Sequence, residues 1–346
     1  MRRTYGAAAL GLALAASVAM TPAAPAAATA HHGSHVLFHD DFRGGFDTTS
    51  TWLPQSSGGL PAGDGIPTTS AAGLTVTPTG TNPVTGEPAF VATAAQDDPA
   101  GGTADHVKWL AFPQRTASTG LPGFDIPAKG SLTCSIAMSG QSYGVDRNPF
   151  GRAVADPHSD VRLAAADMVA ADFETNAVFD WSVTDTEIYA VYERLRAPGS
   201  DYAAYSYAMP VARRTPHRTN TFSVRIDRGG SRVTWLLDGR AVLSTDRIGY
   251  RVFDRADMLM DHGGTETPVK LRQITCGMGM FTVLDATGRD GRALVKVDAT
   301  PDFYYSTRRG APAPQPFVDE RSLRGNRLWG QGEVLKVRSV DVSTRP

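Results

Sequence analysis

The sequence predicts an all-β fold, a sandwich of two antiparallel sheets. The clearest observation is the pair of strand-like runs Arg232–Leu237 and Ala241–Ser244 on either side of Asp238-Gly239. Asp-Gly accommodates the positive φ that both central positions of a type I′ turn require, so this stretch predicts a β-hairpin. Many short strand-like runs separated by turn residues also favour a sandwich, and no helical periodicity of comparable length is present.

The remaining elements follow in chain order. Val36–Phe42 predicts a first strand, and residues 54–73, rich in Gly, Pro, Ser and Thr, predict a long surface loop. Val334–Val342 alternates with period two and predicts an edge or closing strand that pairs with the first strand. The other predicted strands are Leu74–Thr79, Ala89–Thr93, Val107–Ala111, Ser131–Ser139, Val161–Phe173, Ala177–Val183, Thr186–Leu195, Tyr202–Met209, Thr221–Ile226 and Gly277–Leu284.

Two patterns resemble the concanavalin A-like lectin/glucanase superfamily. Asp40-Asp-Phe42 followed by Trp52 is similar to the opening of secreted domains of this type. The strand Phe222–Asp227 followed by a Trp-bearing strand that ends in Asp-Gly is similar to the late strands of its jelly roll. The resemblance implies a jelly-roll β-sandwich and a glycan partner. It does not choose between binding the glycan and cleaving it.

A second resemblance covers most of the chain and is to an uncharacterised family of secreted actinobacterial proteins. It implies the fold and no established activity. The segments that carry it are Asp160–Ala164, Asp172–Thr175, Val178–Asp180, Ile188–Leu195, Gly277–Asp285 and Leu328–Gly332.

The N-terminal 30 residues have the pattern of a secretory signal peptide. Arg2 and Arg3 precede a short Ala/Leu-rich stretch, and an Ala-x-Ala-like site ends at Ala30. We therefore expect cleavage near Ala30, secretion of the mature protein, and a single jelly-roll domain over residues 31–346. Within it, the Pro-rich stretch 311–316 predicts a stiff connector.

Charge and hydropathy exclude several classes of partner. Lys and Arg total 34 against 35 Asp and Glu, a formal net charge of −1, so no charge bias favours nucleic acid. No segment reaches the ~20 apolar residues of a membrane span, so no membrane insertion is expected. The sequence does not determine the oligomeric state.

Cys134 and Cys276 are the two cysteines of the chain. In an exported protein, two cysteines most simply form one disulfide bond. Two buried thiols are the alternative, because a free cysteine packs as a small hydrophobic residue.

The strand that contains Glu187 is the richest in chemical groups. Laminarinase-like hydrolases of this fold carry Glu-x-Asp-x-Glu on one strand, but the positions that follow Glu187 on its face are Tyr189 and Val191. Glu187 and Glu193 would lie about 20 Å apart on a strand, too far for a catalytic pair. Asp185 and Glu187, roughly 6.6 Å apart at Cα, remain candidate catalytic residues, although Asp185 fits a turn equally well.

The candidate glycan-binding residues combine aromatic rings with charged groups. Aromatic faces stack on sugar rings, and Arg binds acidic groups through two parallel hydrogen bonds. Each aromatic residue could instead pack in the sandwich core, and the segment Arg213–Arg218 could be a solvated loop. The candidates are Trp181, Glu187, Tyr189, Glu193, Tyr205 and Arg213.

We expect no metal and no cofactor. The segment Asp172–Asn176 predicts a turn, with calcium ligation as the alternative because oxygen-rich loops suit that ion. The function that these observations favour is secreted, lectin-like carbohydrate binding without catalysis. The alternatives are a glycoside hydrolase or polysaccharide lyase of the same fold, and an extracellular interaction or structural module.

Overall fold

The computed structural model describes residues 33–57, 59–91, 107–148, 154–197, 199–261, 263–282, 286–287, 293–294, 304–305 and 328–346. Short 3-10 helices span Val145–Arg147 and Arg255–Asp257. The strands are β1 His35–Asp40, β2 Trp52–Pro54, β3 Ile66–Ser70, β4 Gly73–Thr77, β5 Gly80–Thr81, β6 Pro88–Ala89, β7 Val107–Pro113, β8 Phe124–Asp125, β9 Ser131–Tyr143, β10 Ala165–Asp172, β11 Ala177–Val178, β12 Trp181–Val183, β13 Glu187–Arg194, β14 Tyr205–Arg213, β15 Asn220–Asp227, β16 Arg232–Leu237, β17 Arg240–Thr245, β18 Met258–Asp261, β19 Gln273–Phe281, β20 Ala286–Thr287, β21 Ala293–Leu294, β22 Tyr304–Tyr305 and β23 Gly332–Arg345.

Two large sheets form the sandwich. Sheet 1 has the order β17-β16-β15-β9-β23-β4-β3, and β1 also pairs with β23. Sheet 2 has the order β2-β7-β19-β10-β11-β13-β14-β18-β22, with β12 joined to β10 and β13 and β8 joined to β19. The pairs on which this order rests are antiparallel, which confirms the predicted all-β jelly-roll sandwich.

The core lies between the sheets and follows the period-two alternation of the strands. On β13, the inward residues Ile188, Ala190 and Tyr192 belong to the main core, whereas Tyr189 and Val191 form a separate cluster on the opposite face. Four tryptophans are fully buried in this core, because indole contributes a large apolar area per side chain. They are Trp52, Trp109, Trp181 and Trp235.

The predicted hairpin is confirmed in its detail. Strands β16 and β17 pair, and the connecting residues Asp238 and Gly239 have φ of 49° and 78°. Both values are positive, as the type I′ turn requires. The Asp238 carboxylate also accepts hydrogen bonds from the Thr221 backbone N–H and the Asn220 amide, each at 2.8 Å, so it ties the turn to β15.

The chain ends meet as predicted, but the last strand is not at an edge. β1 pairs with β23 from His35↔Thr344 to Asp40↔Val340. β23 also pairs along its length with β9 and, through Val337↔Leu74, with β4. Of the two predicted alternatives, the closing strand is therefore confirmed and the edge strand is wrong. Alternation reports that one face of a strand is buried and contains no information about how many neighbours the strand has.

Cys134 and Cys276 form the predicted disulfide bond, with their Cα atoms 6.0 Å apart. Cys134 lies on β9 of sheet 1 and Cys276 on β19 of sheet 2, and both are fully buried. The bond therefore links the two sheets across the core.

The predicted loop 54–73 was wrong in part, because it contains strand β3. β3 pairs with β4 from Ile66↔Thr77 to Ser70↔Gly73, and four of its five residues are exposed. An exposed edge strand needs no hydrophobic pattern, and for that reason the composition indicated a loop.

Other expectations fall outside what the structure describes. The signal peptide and the connector 311–316 lie outside the described residues, and the boundaries of the single domain stay a prediction. Residues 33–346 form one compact unit. Among the described residues, no helix has the length and apolar character needed to cross a membrane.

Candidate functional site

Sheet 2 has a face turned away from sheet 1, here called the outer face. Its side chains come from the strand positions that alternate with the core positions. On β10 the core takes Ala166, Met168 and Ala170, so Asp167 and Val169 project outward. Directly opposed residues on antiparallel strands share a face. Asp180 exchanges both backbone hydrogen bonds with Val191 of the outer face, at 2.9 and 3.0 Å, and therefore projects outward as well.

Three carboxyl groups of this face, those of Asp167, Asp180 and Glu193, lie on neighbouring segments of sheet 2. Ser182 donates to Asp167 at 2.7 Å, Ser206 donates to Glu193, and the Ala170 backbone N–H donates to Asp180 at 2.8 Å. The Oδ1 atom of Asp167 is buried without a hydrogen-bond partner.

The register places these acids diagonally. Glu193 opposes Val178, two positions before Asp180, so Asp180 and Glu193 are diagonal neighbours on adjacent strands. Diagonal neighbours have Cα atoms about 7–8 Å apart. Asp167 opposes Ser182, two positions after Asp180, and is its diagonal neighbour on the other side. Exposure separates the three acids: Asp167 and Asp180 are buried, whereas Glu193 keeps part of its surface exposed.

Burial controls the protonation of this group. Loss of hydration raises the pKa of Asp167 and of Asp180 well above the ordinary value for aspartate, and the charge of Glu193 adds to the rise in both. Burial also raises the pKa of Glu193, against the opposing effect of the Ser206 hydrogen bond. Among the described residues, no Lys or Arg lies within ion-pair distance of these three carboxyl groups. Burial therefore disfavours the ionised form of all three acids, most strongly in Asp167 and Asp180.

The predicted pair of Asp185 and Glu187 is not assembled. Asp185 lies in the turn between β12 and β13, and its carboxylate accepts from the Ser142 backbone N–H at 2.9 Å and contacts His158 Nδ1 at 2.7 Å. Glu187 instead lies 3.4 Å from the Arg213 guanidinium. The two carboxylates have different partners, because the turn rotates Asp185 out of the alternation on which the prediction relied.

Two of the predicted binding residues form an ion pair at the accessible end of β13. Glu187 opposes Arg213 on β14, and their side chains are 17% and 71% exposed. The next residue, Arg214, is buried and donates to the backbone oxygens of Gly140, Thr184 and Pro216. Within the predicted cationic loop, Arg213 therefore faces solvent, whereas Arg214 is buried and stabilises the fold through its hydrogen bonds.

The predicted aromatic binding residues do not offer ring faces to a ligand. Trp181 has no exposed surface, and its indole N–H donates to the Ser223 backbone oxygen at 3.1 Å. The Tyr205 hydroxyl donates to the Tyr192 hydroxyl at 2.6 Å inside the core. Both predictions were wrong for a physical reason: a large apolar ring on the core side of a strand gains more from burial than from exposure.

Tyr189 does lie on the outer face, as predicted, but it is 4% exposed. Its hydroxyl donates to the Ser159 backbone oxygen, which binds the loop before β10 to β13. Thr186 reinforces the attachment, because its backbone N–H and its hydroxyl both donate to the His158 backbone oxygen at 3.1 Å.

His158 is a site residue that the sequence reasoning did not select. Its ring is 41% exposed and lies between two carboxylates, with Nδ1 2.7 Å from Asp185 and Nε2 3.0 Å from Asp146. The hydrogen bond to Asp185 is the main reason that the pKa of His158 is raised, and Asp146 adds to the effect. No local signal joins residues this far apart in the chain. Asp167 and Asp180 were detectable in principle, as isolated acids within apolar strand-like runs.

The segment Asp172–Asn176 forms the predicted turn, with Asn176 at φ 58°. Asp172 accepts from the Glu174 backbone N–H at 3.0 Å, from the Thr175 hydroxyl at 2.6 Å and from the Gln273 amide. Glu174 pairs with Arg272. Protein donors thus contact the carboxylate oxygens of Asp172 and Glu174, and calcium ligation at this turn stays a prediction.

Several solved structures show distant similarity to this chain. The apo Crh5 transglycosylase matches at 12% identity and a TM-score of 0.41, over 90% of this chain and 84% of its own. The alginate lyase A1-II′ of polysaccharide lyase family 7 matches at 11% and 0.41, over 86% and 95%. The β-glucanase of Bacillus licheniformis matches at 9% and 0.38, over 91% and 99%.

A curated relative is the uncharacterized protein L829 of Acanthamoeba polyphaga mimivirus. It is 26% identical over 338 residues, which cover 70% of this chain and 76% of the relative. This viral relative gives no support to the expected actinobacterial origin. A family profile described as a family of unknown function, DUF6081, matches residues 39–346. Because the match covers nearly all of the sandwich, the chain belongs to the DUF6081 family.

Proposed function

We propose that this protein is exported and binds an extracellular polysaccharide along the outer side of β13 without cleaving it. The observation that carries the proposal is a row of residues on the outer side of β13 whose two polar ends are partly exposed, with the buried residues Tyr189 and Val191 between them. The Glu187–Arg213 pair lies at one end of β13, and Glu193, with its donor Ser206, lies near the other end.

The length and chemistry of this row suit an oligosaccharide. Glu187 and Glu193 are six positions apart, which corresponds to about 20 Å along a strand. Carboxyl and guanidinium groups between them supply acceptors and donors, and both are needed to bind the hydroxyl groups of a sugar. Neither Glu187 nor Arg213 is required by the core, so both are available to a ligand.

Protonation favours binding over cleavage. Glycoside hydrolysis by two carboxyl groups needs one of them ionised and the other protonated. On the outer face, burial raises the pKa of all three neighbouring acids, and among the described residues none of the three has a cation beside it that would restore the ionised form. Burial thus works against the ionised carboxylate that cleavage would use as nucleophile or base, whereas hydrogen bonding to a sugar requires no ionised group.

Cleavage is the second candidate function, and the diagonal placement of Asp180 and Glu193 favours it. A Cα separation of about 7–8 Å is compatible with the carboxyl separations of both retaining and inverting enzymes. A raised pKa is also what a general acid requires. In that case Glu193, which is the more exposed of the two acids, would be the general acid that donates the proton. Asp180 would be the second carboxyl group of the catalytic pair.

The test measures binding and turnover on the same samples. The full-length secreted protein is screened against a panel of neutral and acidic polysaccharides, with affinity and release of reducing ends measured in parallel. Variants Glu187→Gln, Arg213→Gln and Glu193→Gln are compared with Arg240→Gln, an exposed cation on the hairpin of sheet 1. We expect each outer-face variant to weaken binding about fivefold or more. For Glu187→Gln and Arg213→Gln the thermal midpoint should stay nearly constant, because exposed ion pairs contribute little to stability.

The outcomes separate the candidates. Binding without release of reducing ends supports the proposal. Release that is lost in Glu193→Gln and kept in Glu187→Gln assigns cleavage instead. If no polysaccharide binds, or if Arg240→Gln weakens binding as much as the outer-face variants, the proposal is wrong and an interaction or structural module remains.

A further inference from the structure

A second candidate site lies among loops beside sheet 1, away from the outer face of sheet 2. It is an open cleft of about 520 Å³ that is lined by Ser231, by residues 246–248, by Tyr250 and by residues 268–270. Pockets of this size accommodate small organic ligands such as one or two sugar rings.

The walls of the cleft are held in place by the core. The Gly249 backbone N–H donates to the Tyr192 hydroxyl at 2.7 Å, and Val269 N–H donates to the Ile248 backbone oxygen at 2.9 Å. Ile248 is 1% exposed. Gly249 has φ of 93°, and a Cβ there would meet the Thr267 backbone oxygen, so this close approach of two loops depends on glycine. The cleft is therefore formed before any ligand binds.

Two cations and one acid, Arg247, Lys270 and Asp246, line the cleft. Arg247 and Lys270 both line it, and within the described residues neither has a carboxylate within ion-pair distance. The lining acid Asp246 lies 3.8 Å from Arg228. The Arg247 guanidinium lies 4.9 Å from the centre of the Tyr250 ring, which holds it at the cleft wall by a cation–π contact.

We propose that this cleft binds a carboxylate-bearing sugar residue of an acidic polysaccharide. Arg247 and Lys270 would hold the carboxylate, since a guanidinium binds carboxylates through two parallel hydrogen bonds. Tyr250 and Ser231 also line the cleft, and their hydroxyl groups would bind the sugar hydroxyls. The proposal rests on the proposed function for the sugar part of the ligand. It adds a preference for acidic glycans and a second contact region.

The test compares an oligogalacturonide with a neutral glucan oligosaccharide of equal length by titration calorimetry. The variant Arg247→Gln/Lys270→Gln should bind the oligogalacturonide at least tenfold more weakly than the wild type, with an unchanged thermal midpoint. Arg240→Gln, which removes an exposed cation of the same sheet outside the cleft, should bind normally. Added salt should weaken oligogalacturonide binding to the wild type more than to the double variant.

Several results would overturn the inference. One is an unchanged affinity for the oligogalacturonide in the double variant, and another is an equal loss of affinity in Arg240→Gln. A third is competition by inorganic sulfate with the same affinity as the oligogalacturonide, because that would indicate simple anion binding. The outer-face variants separate the two proposals. Suppose that neutral glucans never bind, and that binding of the acidic oligosaccharide is lost only in the double variant. The outer-face proposal then fails and the cleft proposal is supported. If neutral binding depends on Glu187 while the double variant is normal, the reverse holds.

Discussion

Removing the disulfide bond should lower the free energy of unfolding by up to about 5 kcal/mol. Cys134 and Cys276 are 142 positions apart in the sequence. The chain-entropy relation for a closed loop of this length gives about 5 kcal/mol at 25 °C. A natural domain is stable by roughly 5–15 kcal/mol, so this one bond represents a large share of the stability. It acts mainly on the unfolded chain, which the bond prevents from expanding.

The assay is urea unfolding of three forms: the oxidised wild type, the wild type reduced during unfolding, and Cys134→Ala/Cys276→Ala. The reduced wild type is the matched control, because it keeps the volume of both sulfur atoms in the core, whereas the double alanine variant also leaves a cavity. We expect both reduced and substituted forms to unfold at lower urea. Their dependence on denaturant should be steeper, because an uncrosslinked chain exposes more surface.

Burial gives a second readout. Both cysteines are fully buried, so a reductant should reach the bond only when the sandwich opens. The rate of reduction in native buffer should therefore follow the rate of unfolding. A reduced wild type that lies within about 1 kcal/mol of the oxidised protein would refute the reasoning, as would rapid reduction of the folded form.

Three further predictions concern protonation and backbone geometry. Burial raises the pKa of Asp167, so the folded state loses stability as the pH rises from the ordinary range of aspartate through that raised value. Asp167→Asn should therefore raise the thermal midpoint near neutral pH, by about 1–2 °C per kcal/mol recovered in a unit of this size, and have little effect below pH about 4; a larger gain at low pH would contradict this. The pKa of His158 is raised mainly by Asp185, so its ion pairs stabilise the fold below the ordinary histidine value and are lost as the pH rises through the raised value. NMR titration of the His158 ring should show that pKa falling in Asp185→Asn, and an unchanged titration would exclude Asp185 as the cause. Gly239→Ala should cost about 1–2 kcal/mol in urea unfolding because of its left-handed φ of 78°. Gly44→Ala, at an equally open position without positive φ, should cost nothing, and equal losses in both variants would argue against backbone strain.

The local features were predictable from the sequence because their causes act over a few residues. Asp238-Gly239 requires a tight turn wherever it lies, and Asp172–Asn176 has turn chemistry of its own. The alternation along β13 is equally local, and by itself it separates Tyr189 and Glu193 from Ile188 and Tyr192.

The candidate site was predictable only in part. Glu187, Glu193 and Arg213 lie on the accessible side of β13 and β14, whereas Trp181 and Tyr205 lie in the core. Both phases of these strands carry apolar residues, since sheet 2 is buried on both faces along β10 and most of β13. The period-two alternation therefore predicts which residues share a face of the strand, but it does not predict which of the two faces packs against sheet 1.

By itself the sequence determined the all-β sandwich, the hairpin and the pairing of the first and last strands, and it favoured a disulfide bond between its two cysteines. The tertiary structure decided that β23 is an interior strand, that Asp185 binds His158, and that Asp167, Asp180 and Glu193 form one group of acids. The physical reason is the range of the interactions. Turn preferences and alternation are fixed by neighbouring residues. The neighbours of a strand and the hydration of a carboxyl group depend on segments far away in the chain, whose approach only the folded sheets define.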